Sequence, residues 1–283
     1  MKRYLYAICM YLLAASCSIT IEPDDIFDAS SIGLGSDDLP SEFSDYTLQI
    51  NGKNTGFRTS FNINKRREPG TVVILFHGNA GNVSTEPWTS LMYTLYQSGA
   101  EVIAIDYPGF GHSEGSPTTQ NMVSSSRDFL STLFDRKLIS PRDNLVLYGA
   151  SLGSFPAISI AASAQASWDI DGLVLDSAIT SSAEMSDHVK SKIFLGRLFT
   201  ANITEDAAFD STPLMEKIDV PIFFMHGLED ESVPHQMSET LAALSRNVFD
   251  VWLVPEARHV EIYRIYRGEF LRKMSQFYTV TFD

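Results

Sequence analysis

The sequence predicts an α/β fold: a mostly parallel sheet covered on both faces by helices. Two observations carry that prediction. Past residue 70, short runs that are apolar at every position recur, and helix-length segments separate them. A strand that is apolar on both sides is buried on both sides, which is the habit of parallel sheets. Strands that alternate with helices form βαβ units.

The elements follow in order. Residues 46–50 and 57–63 read as an antiparallel pair at the sheet edge. Buried strands are expected at 72–76, 102–105, 145–148, 173–175, 222–225 and 251–254. Helices are expected over about 86–98, 119–137, 152–165, 235–246 and 260–278. The last carries Ile262, Ile265, Tyr266, Phe270, Met274 and Phe277 near helical spacing. No internal repeat is visible. The stretch from Leu175 to Ile222 is longer than a plain crossover needs, and 185–200 has helical spacing. It reads as an inserted cap at about 178–214, with a crossover helix and long loops as the alternative.

Composition narrows the function. The chain has 283 residues, 44% of them hydrophobic and 20% charged, which is globular. Its 35 acids against 21 bases give a net charge of −14. Nucleic-acid affinity comes largely from neutralising phosphates, so no nucleic-acid partner is expected. The sequence holds no C-x-x-C, H-E-x-x-H or G-x-x-x-x-G-K, and no metal is expected.

The N-terminus reads as an address. Lys2 and Arg3 precede an uncharged run whose most apolar part is 4–15, the pattern of a secretory signal over 1–16. Its end, Leu13-Ala-Ala-Ser-Cys17, resembles a bacterial lipobox, which implies acylation of Cys17 and attachment to an envelope membrane. Plain secretion and an uncleaved anchor are the alternatives. From Ser18 to Gly52 there are acids and no base. Residues 17–44 are therefore expected to be an acidic, solvated tether, with the domain at 45–283.

Two G-x-S-x-G segments occur, Gly149-Ala-Ser151-Leu-Gly153 and Gly111-His-Ser113-Glu-Gly115. The motif carries chemistry only when a strand leads in and a helix leads out, because that turn presents the serine on a helix N-terminus. Residues 144–148 before Ser151 and 154–162 after it supply that context. Ser113 follows a Pro-Gly-containing loop and precedes Ser116-Pro117. Ser151 is the candidate nucleophile.

With that elbow in view, the chain resembles an α/β-hydrolase over roughly 45–280. Phe76-His-Gly-Asn-Ala-Gly-Asn82 is similar to the superfamily's H-G-x oxyanion loop, and Asp106-Tyr-Pro-Gly-Phe-Gly-His-Ser113 to its D-Y-x-G-x-G-x-S turn. The loop is most similar to that of α/β-hydrolase-domain serine hydrolases with H-G-N-A-G-N, a group that includes membrane-attached depalmitoylases. The resemblance implies an α/β-hydrolase fold with a small helical cap. It also implies an oxyanion hole from the N–H groups of Asn79 and Leu152. The family's chain order, serine then acid then histidine, implies His259 as base, with His235 next. His226-Gly-Leu-Glu-Asp230-Glu-Ser-Val-Pro234 resembles its H-G-x-x-D-x-x-V-P stretch and implies Asp230 as acid, with Asp176 the competitor. His77 and His226 read as loop-shaping residues, and Asp106 as structural.

The expected function is a cofactor-free serine hydrolase of carboxylic esters or thioesters, acting on a small-molecule or acylated substrate. A serine peptidase on the same triad and a non-catalytic surface-binding protein are the alternatives. In the cap, Ile193, Phe194, Leu195, Leu198 and Phe199 are expected either to line an acyl pocket or to pack the cap onto the domain. Oligomeric state, acyl length and leaving group are not legible.

Overall fold

A computed structural model of the chain describes residues 18–29, 42–65, 68–163, 168–194 and 200–282. The expected signal peptide (1–16), Cys17, and Leu195, Leu198 and Phe199 lie outside the described residues.

The strands are β1 (Ser18–Ile21), β2 (Ser44–Ile50), β3 (Lys53–Thr59), β4 (Thr71–Phe76), β5 (Glu101–Ile105), β6 (Asn144–Ala150), β7 (Gly172–Asp176), β8 (Thr200–Ile203), β9 (Ile222–Gly227) and β10 (Val248–Val254). The helices are α1 (Pro23–Ile26), α2 (Trp88–Gln97), α3 (Thr119–Asp135), α4 (Ser154–Ser163), α5 (Ser182–Lys192), α6 (Thr212–Met215), α7 (His235–Ala243), α8 (Ile262–Ile265) and α9 (Arg267–Phe282). Eight strands form the main sheet in the order β10-β9-β7-β6-β4-β5-β3-β2. Pairs from β10 to β5 are parallel, while β3 runs antiparallel to both β5 and β2.

The continuous apolar runs have a direct reading in this sheet. Along β4, Val72, Ile74 and Phe76 enter one core with α3, α4 and α7, while Val73 and Leu75 enter the other with α2, α8 and α9. Alternate side chains of a strand point to opposite faces, so a strand between two helical layers must be apolar throughout. The strand order reverses at β4, which leads to β5 on one side and is joined by β6 on the other. A crevice opens at the carboxyl ends of strands at such a reversal. The loops after β4 and β6 lie there.

Three expectations change. The 260–278 helix is two helices, α8 and α9, with Tyr266 between them at ψ 38. The 185–200 helix is α5, which begins and ends earlier, and the chain then forms β8. Residues 18–29, expected within the tether, lie on the domain: β1 pairs in parallel with β8, Ile26 and Phe27 pack on the core, and Phe27 is buried. Acid content argues for solvation only where no apolar side chain offers itself for burial. Among the described residues, no helix is long and apolar enough to cross a membrane.

Candidate active site

Ser151 stands between β6 and α4 in a single 3-10 turn, with φ at +52°. A side chain rarely adopts that left-handed conformation, and surrounding structure has to hold it there. The glycines allow that structure to close in. A Cβ on Gly153 would lie 2.1 Å from the Phe76 carbonyl oxygen at the end of β4. A Cβ on Gly78 would lie 2.7 Å from the Trp88 ring and 3.2 Å from the Ser151 Cβ. The 77–82 loop therefore packs directly against the serine turn. Asn79 follows Gly78 in that loop and Leu152 follows Ser151, and the Asn79 side-chain oxygen accepts the Asp28 N–H at 2.8 Å. That last contact ties the N-terminal segment to the loop.

His259 follows β10. Its Nε2 lies 2.9 Å from Ser151 Oγ and its Nδ1 lies 2.7 Å from Asp230 Oδ2. With Nδ1–H donating to the carboxylate, Nε2 is left to accept the serine hydroxyl proton. Asp230 follows β9. Its Oδ1 accepts the N–H groups of Ser232 (2.8 Å) and Val233 (2.9 Å). Burial alone would raise this carboxyl. Hydrogen bonds from His226 and His259 outweigh it and hold Asp230 well below the usual carboxylate range.

A second imidazole on this carboxylate was not expected. His226 Nε2 lies 3.2 Å from Asp230 Oδ2 and 3.0 Å from the Val233 carbonyl, so it carries the proton. Its Nδ1 then accepts the Ser238 hydroxyl at 2.7 Å, and Ser238 Oγ accepts the Ala178 N–H. His226 does shape the loop, as its place before Gly227 suggested, and it also grips Asp230. No sequence signal points to Ser238, whose partners lie in two other elements.

Asp176 ends β7 beneath this group. It is fully buried, and the Tyr148 hydroxyl donates to its Oδ2 at 2.8 Å. Burial pushes its carboxyl up to about 6. His259 hydrogen-bonds Asp230, while Asp176 is engaged by Tyr148.

The remaining candidates are structural in their contacts. Ser113 Oγ donates to the Asp106 carbonyl at 2.6 Å and accepts the Gly56 N–H at 2.9 Å, which ties a loop to β3. Asp106 accepts the Val83 N–H at 2.9 Å, and burial pushes it up to about 6. His77 is buried among Tyr107, Phe110 and Trp88; its Nδ1 donates to the Gly78 carbonyl, and burial pushes it down to about 4. His235 pairs with Glu239 at 3.1 Å.

A family model described as the α/β hydrolase fold matches residues 71–198, the stretch from β4 through α5. The chain has the α/β-hydrolase fold. Within that fold, it is similar to the Escherichia coli K12 protein YfhR, at 23% identity over 95% of this chain and 89% of that protein. It is also similar to the lysophosphatidylserine lipase ABHD12 of Danio rerio, at 28% identity over 75% of this chain and 57% of that protein. Among solved structures with the α/β-hydrolase architecture, the Pyrococcus furiosus esterase Pf2001 superposes with a TM-score of 0.69 at 17% identity, covering 90% of this chain and 97% of that one.

Proposed function

We propose that this protein is a serine hydrolase of carboxylic esters or thioesters that works through an acyl-enzyme on Ser151. The observation that carries the reading is the continuous chain of hydrogen bonds from Ser151 Oγ through His259 to Asp230. A hydroxyl is a weak nucleophile until a base takes its proton, and a neutral imidazole with its far nitrogen on a carboxylate is suited to that task. The similarity to two proteins named as a lipase and an esterase supports the same class of bond.

The steps follow from the geometry. Ser151 Oγ bonds to the acyl carbon while its proton passes to His259 Nε2. The carbonyl oxygen, now negative, is met by the N–H groups of Asn79 and Leu152. His259 hands the proton to the departing alkoxide or thiolate as its bond to the acyl carbon breaks. Water then attacks the acyl-enzyme, giving one proton to His259, and the carboxylic acid leaves as Ser151 is reprotonated. Asp230 steadies the imidazolium in both halves.

Fluorophosphonate labelling of purified protein tests the reading. The wild type and Ser113→Ala should label and Ser151→Ala should not. A folded wild type that fails to label would move the non-catalytic reading to the front. Export, acylation at Cys17 and attachment to a bacterial envelope membrane belong to the same proposal and rest on the N-terminal sequence.

A further inference from the structure

The end of the cap helix is apolar and uncovered. Phe194 is 91% exposed, Ile193 55% and Val189 50%. Val189 and Ile193 are four residues apart, so they share one face at the end of α5. At these exposures Ile193 and Phe194 do not pack the cap onto the domain, one of the two roles expected of them. Ile19, 49% exposed, stands on β1, which pairs with β8, and β8 packs against α5. Single exposed apolar residues are ordinary on a soluble surface, but large ones gathered on adjoining elements mark an interaction site.

Two features say what meets this face. The first is its place beside the candidate active site. His188 Nε2 approaches the Glu231 carbonyl at 3.4 Å and Lys192 Nζ donates to the same oxygen, so α5 is tied to the loop that bears Asp230. The second is where the preceding chain joins. β1 starts at Ser18, directly after Cys17, the proposed acylation site, and after a segment whose residues 4–15 are apolar and whose only charges are Lys2 and Arg3. That segment therefore enters the described fold on the strand that carries Ile19.

We propose that Ile19, Val189, Ile193 and Phe194 form a membrane-docking face that inserts into the acyl boundary of a lipid bilayer, so that the candidate active site opens beside the membrane surface. The proposal rests on the N-terminal segment being membrane-associated, which brings the cap within a few residues of the bilayer. Apolar side chains next to an anchor supply the second contact that stable, oriented membrane attachment calls for. Headgroup charge has little part in it. The chain is acidic overall, and Lys190 already pairs with Asp187 at 2.6 Å.

The test uses the full chain with Phe194→Trp, bound to phosphatidylcholine vesicles that carry bromine on the acyl chains. Phe282→Trp, at the end of α9 on the other helical layer, is the control. The expected result is co-flotation with the vesicles, blue-shifted emission from Trp at 194, and quenching by brominated lipid well above that of the wild type and the control. High salt should leave the quenching unchanged. Co-flotation with position 194 still open to aqueous iodide overturns the docking face and leaves the anchoring segment standing. Failure to float overturns both. A blue shift before vesicles are added assigns the face to a second copy, if it depends on concentration, or to the chain's own first 17 residues, if it does not; either overturns the proposal.

Discussion

Asp230 is held by two imidazoles and two backbone amides, and every one of those donors favours its charged form. Its contribution to stability is present at neutral pH and is lost as pH falls through its lowered pKa. Asp230→Asn keeps the shape and removes the charge that stabilises an imidazolium. It should lower kcat for ester hydrolysis about 10^4-fold with the circular dichroism unchanged. Asp176→Asn should lower kcat far less, and the reverse ranking would move the acid to Asp176. Asp176 also makes a stability prediction. Burial raises it from 3.8 to about 6, so between those pH values the folded protein keeps a proton that the unfolded chain gives up. Its contribution is therefore present at low pH and lost as pH rises to about 6, by ~3 kcal/mol. His77, pushed down to about 4, acts in the opposite direction over part of that range. Urea denaturation of wild type and Asp176→Asn at steps from pH 4 to 7 isolates the Asp176 part. The wild type should lose ground to the variant up to pH 6 and hold level above it.

At the scale of elements, the serine turn depends on strand β4 as much as on its own strand. The Phe76 and His77 carbonyls approach Gly153 so closely that Gly153→Ala must push β4 away from the elbow. On the proposed function, that variant should lose most hydrolase activity and be less stable by about 1–3 kcal/mol, as is typical of overpacked sites. The turn around Ser151 was legible because strand, turn and helix are contiguous in sequence. Periodicity also delivered five buried strands, since burial on both faces writes itself into every position of each; the sixth, expected to be buried at 251–254, is the edge strand β10, where Val251 is exposed and Trp252 and Leu253 are half-buried because no strand covers its outer side. The 260–278 region reads as one helix in sequence for the same reason in reverse. Its apolar spacing is continuous across Tyr266, while the backbone break there has no strong local signal such as proline. The 185–200 spacing overshoots α5 because that helix carries little core: Ser182 and Ser186 are its buried residues, Met185 is half-buried against the core, and Val189 is turned outward.

Across the whole molecule, two helical layers close on one sheet, and the N-terminal segment adds a strip to one of them. Phe27 belongs to the same core as Leu48, Phe57 and Phe129. Phe27→Ala should therefore cost ~3 kcal/mol in denaturant unfolding, where a residue on a free tether would cost nothing measurable. The acids around it, Asp24, Asp25 and Asp28, had pointed to solvation. These acids do stay exposed, while Phe27 between them turns inward; Asp25 also accepts the Glu22 N–H at the start of α1, and the Asp28 backbone N–H reaches Asn79.

The sequence by itself determined the α/β class, the run of strands and helices, and the serine elbow, because each rests on neighbours within a few positions. Through resemblance it also pointed to His259 and Asp230. Only the tertiary structure decided that Ser151, His259 and Asp230 meet, since 108 residues separate the first pair and 29 the second. The same holds for His226 and Ser238 behind Asp230, Tyr148 on Asp176, and β1 on β8. Contacts between distant segments are chosen by how layers stack and loops close, and no local pattern of hydrophobicity encodes that choice.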